Sequence, residues 1–198
     1  MSLKNYASNV FINCPFDDAY LPLLRAIVFA VFDCGFTPRC SQEEDNGGDV
    51  RFDKIKRLIK ESKFGIHDIS RTELDQDTCL PRFNMPLELG VFIGARHFGD
   101  SRQKAKNSLI LDFQPYRYQS FISDIAGQDI RSHDGNPEKA IKHVRNWLNT
   151  ASGRATIPGG TDIVARYRVF LAELDPLCRN ARVTLGELTY NDHANFVS

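Results

Sequence analysis

The sequence lacks a charge of one sign. Its 25 Lys and Arg balance 25 Asp and Glu, so the formal net charge is zero. A neutral chain has none of the overall electrostatic signature of a nucleic-acid binder, and no nucleic-acid partner is expected. Metal motifs are missing too. The five cysteines (Cys14, Cys34, Cys40, Cys79, Cys178) form no C-x-x-C pair, and the five histidines form no H-E-x-x-H, so no metal site is expected. An odd cysteine count leaves one thiol over from any full disulfide set. Neither G-x-G-x-x-G nor G-x-x-x-x-G-K-[ST] occurs, which excludes the standard phosphate-cradling glycine loops. The longest apolar stretch, around Ala26–Phe32, is far below the ~20 residues of a membrane span. Met1–Asn9 is polar, unlike a secretory signal. A reduced cytoplasm and no membrane partner are the expectation. No internal repeat or low-complexity tract is visible.

What is present is an ordinary globular composition. At 198 residues and 42% hydrophobic, the chain is long enough to bury roughly 70% of its unfolded surface without metal or disulfides. Short apolar runs alternate with segments of helical period. Val10–Ile12 reads as a buried strand, followed by a helix from Tyr20 to Cys34 that Gly35 ends. Phe36–Cys40 is a second strand, placed at an edge because Pro38 cannot donate to a ladder. After the polar loop Ser41–Asp49, Phe52, Ile55 and Ile59 mark one face of a helix, with Lys54, Arg57 and Lys60 on its solvated face. Phe64–Ile69 is strand three. Asn84 is a plausible N-cap and Pro86 lies in the first turn of the next helix, which is apolar nearly all round over Leu87–Ile93. Leu109–Phe113 and the weaker Asp129–Ser132 are strands four and five, and Asn136-Pro137 opens a helix.

This alternation implies an α/β, flavodoxin-like fold: a five-stranded parallel sheet in order 2-1-3-4-5, with helices on both faces. That order leaves the two poorest strands at the edges. Residues 1–152 form this domain. Residues 153–198 form a helical extension, with Ile163, Tyr167, Phe170, Leu174 and Leu177 on one face of a long helix. The extension is too small for its own core, so it packs on the sheet domain or on a partner subunit.

Ligands of open parallel sheets bind beyond the strand carboxyl ends where strand order reverses. Here that crevice lies between strands one and three. Into it empty Asn13, Cys14, Pro15, Phe16, Asp17 and Asp18, then His67, Asp68, Ile69, Ser70 and Arg71. Glu88 enters on the following helix. A carboxylate near a helix start is favoured by the dipole, the structural reading. Its apolar neighbours Leu87 and Leu89 would instead raise its pKa and suit it to acid, base or nucleophile chemistry. Gly90 is read as a close helix–sheet packing position. Cys14 is read as a semi-buried thiol rather than a nucleophile, and His67 and Asp68 point to opposite faces by alternation. Arg39 and Arg71 stand between phosphate contact and surface.

Four segments, F-I-N-C-P-F-D-D-A-Y, C-G-F-T-P-R, I-H-D-I-S-R and R-F-N-M-P-L-E-L-G, together resemble the bacterial TIR-like and nucleoside 2-deoxyribosyltransferase-like family. The resemblance runs from about Val10 to His133, roughly two-thirds of the chain. It implies that Glu88 attacks or stabilises an N-ribosidic centre and that Asp68 helps hold the nucleoside. It also implies that Phe11–Phe16 faces a nicotinamide nucleotide. Six residues before Glu88, where the transferases carry an aspartate, this chain has Arg82. An arginine fork suits phosphate, which tilts the reading toward a nucleotide such as NAD. Where TIR domains carry Ser or Tyr after the first strand, this chain has Asn13 and Cys14.

The expectation is therefore an N-glycosidase acting on NAD or a related nucleotide, in bacterial defence or stress signalling, with no cofactor required. Glu88 is the catalytic residue. Asn13, Pro15, Phe16, Asp17, Arg39, Asp68, Ser70, Arg71, Arg82 and Asn84 contact the nucleotide. The alternative is a non-catalytic nucleotide sensor or TIR-type interaction module. A homo-oligomer is expected, because the Ile163–Leu177 and Leu87–Ile93 helices carry more apolar surface than one small sheet needs.

Overall fold

The computed structural model describes residues 6–44, 46–72, 74 and 79–198. Its five strands are β1 (Asn9–Asn13), β2 (Thr37–Arg39), β3 (Phe64–Asp68), β4 (Asn107–Asp112) and β5 (Ile130–Ser132). All pair in parallel, in the order β2-β1-β3-β4-β5. Every residue of β1 and β3 is buried, as central strands covered on both faces require. Pro38 sits in edge strand β2 opposite Val10, with its ring nitrogen on a ladder that needs donors on one side only. The three-residue β5 forms the other edge.

Side-chain alternation divides the sheet into two faces. Val10, Ile12, Phe64, Ile66, Leu109 and Leu111 face α1 (Leu21–Asp33) and α5 (Pro137–Ser152) in the larger core. On the opposite face, Phe11 packs with Ile55, Leu58 and Ile59 of α2 (Arg51–Lys60) and Phe92 of α3 (Asn84–Phe98). Pro22 occupies the first turn of α1, where its missing N–H costs nothing. Gly35 ends that helix at φ +76°, a conformation in which a Cβ would be strained.

Three local expectations need correction. Asn84 is the first residue of α3, not its cap; Phe83 holds the cap position and its side chain makes no capping bond. Helix α3 buries one face only, through Met85, Glu88, Leu89 and Phe92, while Leu87 is exposed. Gly90 is exposed and a Cβ there would meet open space, whereas Gly65 of β3 is the close approach: a Cβ there would meet Phe92 and His67 Nε2 at 2.7 Å. The regular alternation also fails once. After the four-residue α4 (Ser101–Lys104) and β4, the chain reaches β5 through 3-10 turns, not an α-helix. Tyr118 and Ile125 from those turns fill the space against Ile69, Leu89 and Ile110.

The long helix α6 (Gly160–Ala181) packs on α1 and α5 of its own chain. Ile163, Val164, Tyr167, Phe170, Leu174 and Cys178 join the main core. Helix α7 (Tyr190–Val197) follows, started by a capping box between Thr189 and Asp192. No helix among the described residues is long and apolar enough to cross a membrane.

Candidate active site

The strand carboxyl ends carry an unusual load of buried polar groups: Asn13, His67, Asp68, Ser70, Asp112 and His133. Alternation sends them to opposite faces and so builds two cavities. Asn13 and His67 lie on the α2/α3 face. Asn13 Nδ2 donates to the Met85 carbonyl at 2.8 Å and lies 3.1 Å from His67 Nδ1. An amide donor facing Nδ1 places the imidazole proton on Nε2. Burial pushes the His67 pKa down to about 3, with Lys106 adding to the shift, so the ring is neutral. Asn13 thus ties the end of β1 to the first turn of α3, three residues before Glu88.

Glu88 is 7% exposed. Burial raises its pKa to about 7, against a smaller opposing pull from Arg51. It lines a cavity of about 290 Å³ with Arg51, Phe52, Ile55, Asn84 and Leu87. Arg51 is the first residue of α2 and Asn84 the first of α3, so two helix N-termini meet at this cavity. Among the described residues neither helix has a side-chain cap. First-turn N–H groups without such a cap are natural donors to an anion, and both helix dipoles favour negative charge there.

Asp68 faces the other way and is fully buried. Its Oδ2 accepts from Tyr20 Oη at 2.5 Å and lies 3.0 Å from His133 Nε2; its Oδ1 accepts from the Ser70 amide at 2.9 Å. His133 Nδ1 accepts from the Gly135 amide at 2.9 Å, while its buried Nε2 makes no hydrogen bond among the described residues. A second cavity, of about 230 Å³, opens beside this cluster and is lined by Tyr20, Ser70, Arg71, Phe113 and His133. Arg71 is paired to Asp17 at 2.8 Å. Arg117 fixes the loop after β3, donating to the Ile69 and Ser70 carbonyls, to Thr72 Oγ1 and to Asp112 Oδ1.

The residues expected at one nucleotide site are therefore distributed over two cavities that share no lining residue. Glu88 and Asn84 line one. Ser70 and Arg71 line the other, with Asp68 and Asp17 bonded behind them. Pro15 is buried and Phe16 half-buried on the α1 side. Arg39 lines neither cavity: Glu43 accepts from its Nε and Nη2 at 2.8 and 2.6 Å, and Glu61 lies 3.5 Å away. Arg82 is exposed and lines neither cavity. Cys14 is 2% exposed, and burial pushes its thiol pKa well up, which leaves it inert.

Comparison with protein-family models, curated proteins and solved structures returns no match. The site is therefore read from its own chemistry. Among the described residues no group of His, Cys, Asp and Glu is arranged to hold a metal ion. Sequence reasoning missed Arg51 and Tyr20. Arg51 follows a polar loop with no motif, and only the start of α2 marks it. Tyr20 read simply as the opening of a helix; its bond to Asp68 spans 48 residues.

Proposed function

We propose that the chain binds a nucleotide between the N-termini of α2 and α3 and cleaves its N-glycosidic bond, with Glu88 as the catalytic residue. The observation that carries this reading is a buried carboxyl of raised pKa in a cavity where two helices start without side-chain caps. The helix starts and Arg51 hold phosphate, and Phe52 gives the sugar or base an apolar wall. The Glu88 carboxylate faces C1′ of the ribose as positive charge develops there. The C1′–N bond breaks, and its electron pair leaves with the base. Water then adds to C1′ and loses a proton.

NAD suits this arrangement better than an ordinary nucleoside. Its nicotinamide leaves from a pyridinium and needs no acid to protonate it. The same cation beside Glu88 favours the ionised carboxylate, drawing a pKa of about 7 back down in the complex. Incubation with NAD, nicotinamide mononucleotide, AMP and deoxyadenosine, read by chromatography for free base, tests the proposal. Nicotinamide from NAD is the expected product. Ligands recovered intact after saturable binding would identify a nucleotide sensor instead.

A further inference from the structure

Helix α7 folds back over the edge of the sheet. Tyr190 Oη donates to the Pro38 carbonyl at 3.2 Å, and Asn191 Nδ2 to the Glu43 carbonyl at 3.2 Å. Beside its first turn a third cavity of about 520 Å³ opens between α1, α7 and the loop after β2. It shares no lining residue with the Glu88 cavity. Its volume falls within the range of small-molecule sites, which are mostly apolar with a few convergent polar groups. Leu21 at the start of α1 and Leu188 before α7 give the accessible apolar surface, with the buried Leu24 and Val28 behind them.

The polar groups are biased toward positive charge. Arg25 and Lys54 both line the cavity, and neither is paired with a carboxylate among the described residues. Lys54 Nζ donates to the Glu44 carbonyl at 2.7 Å, and Arg25 Nη2 donates to the Leu185 carbonyl at 3.4 Å. Among the described residues the one acidic side chain in the lining, Glu44, is already bonded to Arg57. His193 completes the wall. It is 3% exposed, and its buried Nε2 has no hydrogen-bond partner.

We propose that this cavity is a second binding site, for a small amphipathic carboxylate whose apolar body lies on Leu21 and Leu188 and whose carboxylate pairs with Arg25 and Lys54. The inference does not rest on the glycosidase reading, since it uses other residues and another cavity.

The test titrates the full chain with octanoate, octanol and octylamine, followed by two-dimensional amide NMR. Octanoate should saturate and move the amides of Arg25, Val28 and α7, at least about tenfold tighter than octanol, with octylamine weakest. The double variant Arg25→Gln/Lys54→Gln changes only cavity-rim side chains and should bring octanoate down to the octanol level. Leu188→Trp, which fills the cavity, should abolish binding of both; if it fails to fold, the charge-removal arm still decides. Octylamine or octanol binding as tightly as octanoate would overturn the proposal. So would octanoate affinity unchanged in the double variant, shifts confined to another face, or no saturation up to the solubility limit.

Discussion

Replacing Glu88 by Gln should stabilise the protein at alkaline pH while removing the proposed glycosidase activity. The carboxyl is 7% exposed, with no hydrogen-bond partner among the described residues, and burial lifts its pKa from 4.5 to about 7. Because the folded state holds this proton more tightly than the unfolded chain, stability falls as pH rises from about 4.5 to about 7. Above that window the carboxylate stays ionised in the fold at a constant cost. At about 1.4 kcal/mol per pKa unit the displacement corresponds to roughly 3 kcal/mol. Gln keeps the volume and carries no charge, so Glu88→Gln recovers most of that above pH 8 and little below pH 4.5. For a chain of this size about 3 kcal/mol is roughly 6–12 °C in Tm. Thermal unfolding by circular dichroism at several pH values measures it. A variant less stable than the parent at pH 8, or a Tm difference that does not change with pH, would refute a buried, raised-pKa carboxyl. The dipole-stabilised reading of Glu88 predicts that opposite result, because it makes the negative charge favourable.

Other perturbations have equally specific outcomes. Tyr20→Phe removes the hydroxyl 2.5 Å from Asp68 Oδ2; a bond to a buried carboxylate is worth about 1.5–3 kcal/mol, which urea unfolding should show as a lower midpoint with an unchanged slope. Gly65→Ala places a methyl 2.7 Å from Phe92 and His67 and should cost about 1–3 kcal/mol by overpacking, relieved in part by Phe92→Leu. Nicotinamide release under low NAD should rise with pH to a plateau above about 7, because the proposed reaction needs ionised Glu88 and its pKa in the unliganded fold is about 7.

The strand order was legible from particular residues. Pro38 barred its strand from the centre, and the weak Asp129–Ser132 run suited the other edge, which left β1, β3 and β4 to fill the interior. The parity of a strand likewise separates His67 from Asp68. What local patterns could not show is where each face leads. Asp68 meets Tyr20 and His133 on one side, while Glu88 meets Arg51 on the other, and these meetings depend on how four loops end. Gly90 illustrates the same limit. A glycine in a helix suggested close packing, yet the close approach came from Gly65 across the interface. The missing helix between β4 and β5 went unread because Tyr118 and Ile125 fill its place without helical spacing.

Nicotinamide released from NAD by the parent chain and by Glu88→Gln, compared at pH 8 by chromatography, tests the central claim most directly. The account predicts release by the parent and a rate about 100- to 1,000-fold lower in the variant, with NAD binding largely retained. Equal release by both proteins, or NAD recovered whole from the parent, would contradict it.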